Sequence, residues 1–64
     1  MVKNMLKVYR TARGLTQTEL SEKSGVSRAT ISKIENNEEV VLTTHTIAKI
    51  SEALQMDPSE IFLL

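Results

Sequence analysis

The sequence predicts an all-α domain of five short helices, and three observations predict it. One pattern of apolar residue, capping residue, three further positions and a second apolar residue occurs four times along the 64 residues. Both glycines and the single proline fall where such helices would end or begin. No stretch alternates apolar and polar residues long enough to form a half-buried strand.

The first helix spans about 4–13, with Leu6 and Tyr9 on one face and Gly14 ending it. The four repeats then mark four helix starts: Leu15-Thr16 with Leu20, Val26-Ser27 with Ile31, Leu42-Thr43 with Ile47, and Met56-Asp57 with Ile61. In each, the Thr, Ser or Asp oxygen can accept from an orphan first-turn amide, while the apolar pair staples the turn. Glu19 and Glu60 each lie three residues after a cap, so two of the four read as capping boxes. Pro58 stands at a first helical position, where its missing N–H costs nothing. The remaining helices follow at about 17–23, 28–36, 44–54 and 58–62. Val40-Val41-Leu42 is β-prone but too short for a strand, and reads as a loop whose apolar residues close over the core.

Helices two and three form a corner. Gly25 sits where a tight turn between steeply crossed helices needs positive φ. Leu20, Val26, Ile31 and Ile34 supply the buried contact, and Ser21 is small enough to allow close approach. A plain helical core would explain each residue singly; their joint spacing over 17–36 identifies a helix-turn-helix. Its second helix carries Arg28, Ala29, Ser32 and Lys33 on a row that folding does not require. Adaptable polar and cationic side chains on a rigid corner suit reading of a DNA major groove.

Composition bounds the rest. The length corresponds to one domain, 1–64, near the lower limit for a self-sufficient core. The chain contains no cysteine, so neither disulfides nor thiolate metal sites are available, and a cytoplasmic setting is expected. No signal peptide or membrane-spanning run is read. Net charge is zero but unevenly placed: residues 1–33 hold seven basic against two acidic residues, a net of +5, and residues 34–64 hold one against six, a net of −5. Such asymmetry hints at an anionic partner on one face. A lopsided solvated surface would look the same, and only the coincidence with the corner favours the partner.

Enzyme chemistry finds no support. His45 is the only histidine, without a second ligand at metal-binding spacing. Gly14 and Gly25 are the only glycines, so no phosphate-cradling glycine loop exists. The carboxylates are scattered rather than paired in an apolar setting. No metal, cofactor or small-molecule effector is expected.

Residues 15–36, Leu-Thr-Gln-Thr-Glu-Leu-Ser through Gly-Val-Ser-Arg-Ala-Thr-Ile-Ser-Lys-Ile-Glu-Asn, resemble the XRE family of Cro and phage-repressor helix-turn-helix domains. The resemblance runs from Leu6, Tyr9 and Arg10 to Ile61-Phe62. It implies a lambda-repressor-like five-helix fold and a homodimeric transcriptional regulator, a repressor, bound to palindromic double-stranded DNA. Carried over, it assigns Gln17 to a phosphate, with Thr16, Ser27, Thr30 and Asn36 as further backbone contacts. Arg28, Ala29, Ser32 and Lys33 fall at the base-reading positions. It pairs Arg10 with Glu35, an ion pair that fixes helices rather than touches DNA and so removes Arg10 from the DNA-facing charge. Two departures stand out: Asn37 replaces the glycine usual after helix three, and Glu38 and Glu39 occupy a loop that is often basic. Leu63 and Leu64 add apolar surface that one short helix cannot hide, and are expected to form the dimer interface. The competing reading is a protein-interaction module on the same fold, antitoxin-like or a regulatory adaptor, binding through helices four and five and the acidic half.

Overall fold

Caps define the helices of the computed structural model, which describes residues 4–62. They are α1 Leu6–Ala12, α2 Gln17–Ser24, α3 Arg28–Glu35, α4 Thr44–Leu54 and α5 Pro58–Phe62, with no strand among the described residues. Thr16 makes the expected capping box: its hydroxyl oxygen accepts from the Glu19 amide at 3.0 Å, and the Glu19 carboxylate accepts from the Thr16 amide at 2.9 Å. Ser27 and Thr43 cap α3 and α4 by accepting from the Thr30 and Thr46 amides. Asp57 caps α5 as expected, but without the capping box read at Glu60. Its Oδ1 accepts from both the amide and the hydroxyl of Ser59, and the Glu60 amide donates instead to the Asp57 carbonyl. The Asp57 side chain thus serves Ser59 alone, and no box forms with Glu60.

The helix ends use the left-handed region. Gly25 closes α2 at φ 78°, as the corner requires. Asn37 follows α3 at φ 59°, so the residue replacing glycine keeps the geometry, as asparagine can. Gln55 ends α4 at φ 54°, a position that no sequence feature marked. Helix α1 starts two residues later than expected because Asn4 is a bridge rather than a helical residue. Its Oδ1 accepts from the Leu6 amide at 3.0 Å while its Nδ2 donates to the Ile34 carbonyl at 2.9 Å.

Leu6, Leu20, Ile31, Ile34, Ile50, Ala53, Leu54, Ile61 and Phe62 form one core. Helix α2 packs on α3 and α4, α1 on α3 and α5, and α4 on α5. Three staples hold, with Leu15, Val26 and Met56 half-buried against that core. The fourth is loose, because Leu42 is exposed and Ile47 only half-buried. The loop before α4 therefore closes over the core through Val40 alone; Val41 is 85% exposed. Ser21, expected as the small residue of the corner, is half-buried, and it is Ser24 that is buried, its hydroxyl accepting from the Val26 amide. A serine satisfied within its own turn costs little to bury.

Candidate nucleic-acid interface

The exposed face of α3 is built by subtraction. Ile31 and Ile34 turn into the core, so the positions between them turn outward. Arg28, Ala29 and Lys33 are exposed and Ser32 is half-buried. The expected row thus shares one face of the helix. The Ser32 oxygen lies 3.5 Å from the Asn36 Nδ2, a marginal contact that leaves its hydroxyl proton free.

Hydroxyls beside this row differ in what they can still donate. Ser27 donates to the Thr30 hydroxyl oxygen at 2.8 Å while capping α3, so its proton is committed. The Thr30 hydroxyl proton is then the outward donor of the pair. Thr16 uses its oxygen as an acceptor in the capping box and retains its proton. Asn36 is exposed just beyond the end of α3, with one amide proton left over.

Gln17 is not a free surface residue. Its Nε2 donates to Glu35 Oε1 at 3.0 Å, leaving one amide proton uncommitted. Glu35 is in turn gripped by Arg10, through Nε at 2.6 Å and Nη2 at 3.0 Å, and Arg10 Nη1 donates to the Leu15 carbonyl at 2.6 Å. The side chains of Arg10 and Glu35 are 9% and 2% exposed. Burial pushes the Glu35 carboxyl up, but hydrogen bonds from Arg10 and Gln17, with the charges of Arg10 and Lys7, outweigh it and hold the group below its ordinary range. The Glu35 hydrogen bond likewise raises the Arg10 guanidinium against its own burial. The expected ion pair is present, and Gln17 is an unexpected third member of it.

Charge by face differs from charge by half-chain. Arg10 leaves the exposed set. Lys49, the single basic residue of the second half, lines a polar cleft with Ser27, Thr30 and His45 at the start of α3. Lys33 lines a groove together with Glu38 and Glu39 of the following loop. No group of metal-ligating side chains occurs among the described residues, and no described helix is long and apolar enough to cross a membrane. Leu63 and Leu64, the expected dimer contact, lie outside the described residues.

Two helices meeting at a left-handed glycine, the second with a core-facing apolar stripe and an outward polar row, constitute a helix-turn-helix domain. The chain belongs to the XRE-type helix-turn-helix family: the Helix-turn-helix profile matches residues 6–61. Antitoxin HipB of Escherichia coli strain K12 is 42% identical over 53 residues, covering 83% of this chain and 59% of that protein. The same-named protein of Escherichia coli strain CFT073 has the same identity, with 55% of its length covered. The chain thus spans less than two thirds of the curated relatives it matches. Among solved structures, the restriction-modification controller protein C.AhdI from Aeromonas hydrophila superposes with a TM-score of 0.80 at 35% identity, over 89% of this chain and 85% of that one.

Proposed function

We propose that the protein is a sequence-specific double-stranded DNA-binding transcription regulator, a homodimeric repressor of a near-palindromic operator, with α3 in the major groove. The observation that carries the reading is the outward row of α3: Arg28, Ala29, Ser32 and Lys33 contribute nothing to the core yet share one face of a helix anchored at both ends. Arg28, in the first turn, suits a bidentate contact with guanine, and the Ala29 methyl suits a thymine methyl. Lys33 and Ser32 reach further along the groove. Thr16, Gln17, Thr30 and Asn36 retain donors for phosphate oxygens; Ser27, its proton committed, would contribute through its backbone amide. The family assignment and the likeness to a restriction-modification controller support the same reading.

One recognition helix spans few base pairs, so discrimination calls for two copies. A two-fold dimer would set its α3 helices about 34 Å apart, one turn of B-DNA. Leu63 and Leu64 are the proposed contact. The setting is the cytoplasm, and the role is binding rather than catalysis. Nuclease footprinting on the DNA upstream of its own gene, with sedimentation equilibrium, tests the whole. A protected near-palindrome and a dimer are expected; a monomer that protects nothing refutes the reading. The relatives named antitoxin favour a second function for the same chain, binding of a toxin-like protein. A stable one-to-one protein complex from a chain that shifts no DNA would make that function primary.

A further inference from the structure

The start of α2 is held by a single guanidinium. Arg10 Nη1 takes the Leu15 carbonyl at 2.6 Å, one residue before the Thr16 cap. Nε and Nη2 take the two oxygens of Glu35, and Glu35 Oε1 also accepts from Gln17 Nε2 at 3.0 Å. Every member is half-buried or buried, and the chain of bonds runs from α1 through the last residue of α3 to the first residue of α2.

We propose that Glu35, fixed by Arg10, is a positioning residue for the Gln17 phosphate contact, and that it locks this contact to the base-reading helix. The inference rests on the DNA-binding reading above. An ionised carboxylate only accepts, so it selects the nitrogen end of the Gln17 amide and rejects the oxygen end. A freely rotating glutamine would offer its carbonyl to phosphate as readily as its N–H, and the carbonyl repels phosphate. With one N–H spent on Glu35, the other is presented with its rotamer already chosen, so binding is spared the cost of ordering a flexible side chain. Because Glu35 ends α3, the α2 contact and the recognition helix move as one frame. The network thus has a role beyond stability.

The test uses the full chain and fluorescence anisotropy on two duplexes, one from its own upstream DNA and one of random sequence. Arg10→Met with Glu35→Leu replaces the buried pair by apolar side chains, an exchange that is often neutral for folding. It should weaken both duplexes by about two- to tenfold, the cost of one unrestrained rotamer. Gln17→Ala should do the same, and the triple variant should be no weaker than Gln17→Ala alone. Arg10→Met with Glu35→Gln returns an acceptor to Gln17, but one that can also donate and is no longer held by Arg10, so it should recover only part of the loss. Losses that multiply in the triple variant overturn the inference and leave DNA binding standing; a parent chain that binds neither duplex overturns both. A measurement on the parent needs no variant to fold. The Gln17 side-chain amide should show an NMR order parameter close to that of the backbone, and mobility equal to that of exposed Gln55 would overturn the proposal.

Discussion

Removing the Glu35 carboxylate should cost this domain about a third or more of its stability. Glu35→Ala deletes the acceptor for two of the three Arg10 bonds and for the Gln17 amide, and strands a guanidinium whose side chain is 9% exposed. Breaking a buried pair by removing one partner costs about 3–5 kcal/mol, because the remaining charge is desolvated without compensation. Arg10 keeps the Leu15 carbonyl and Gln17 is half-buried, which places the expected loss near the lower end, about 3 kcal/mol. At roughly 0.05–0.15 kcal/mol per residue, a chain of this length has only about 3–10 kcal/mol in all. Urea titration followed by far-UV circular dichroism reads the effect. With a slope of about 1 kcal/mol per molar, the midpoint should fall by roughly 3 M, which would unfold in water a parent at the lower end of that range. Arg10→Met with Glu35→Leu should lie within about 1 kcal/mol of the parent. Acid should act on the same bond. The folded carboxyl titrates below its ordinary value of 4.5, so its stabilisation is complete above that pH and is lost as pH falls through the folded value. The parent midpoint should therefore drop on acidification more steeply than that of the apolar-pair variant. A Glu35→Ala loss under about 1 kcal/mol, or a double variant whose loss equals the sum of the two singles, would refute the coupling.

The other expectations concern the interface and the corner. Arg28→Ala should cost about 1–3 kcal/mol on the operator and much less on random duplex, read by anisotropy; equal losses on both would reduce it to a phosphate contact. Lys33→Ala should lower the slope of log affinity against log salt by about 1 if Lys33 meets a phosphate and leave it unchanged if Lys33 meets a base. Gly25→Ala introduces a Cβ with nothing within 4 Å, so its cost is that of the left-handed backbone alone, about 1–2 kcal/mol and a melting temperature lower by 5 °C or more. Deleting Leu63 and Leu64 should shift sedimentation toward monomer and weaken operator binding with unchanged helicity; full dimerisation by the truncated chain would move the interface elsewhere.

What the chain alone determined is local. Thr16, Ser27 and Thr43 bond amides three residues ahead, and Gly25 answers only to its own φ. Such contacts need no knowledge of where distant helices lie, so helix starts and the corner follow from residue type and spacing. The outward row of α3 follows as well, once Ile31 and Ile34 are assigned to the core. The Asp57 cap also formed, but on the Ser59 amide and without the box read at Glu60. Docking decided the rest. Asn4 bonds Ile34 across 30 residues and Gln17 bonds Glu35 across 18, partners that periodicity does not reveal because they depend on how three helices are set against one another. The same docking admits Val40 to the core and leaves Val41 outside, although the two are chemically identical neighbours. It also sets Lys49 in one cleft with Ser27 and Thr30 while burying Arg10, so the charge beside the outward face of α3 is a property of the packed helices and not of either half of the chain.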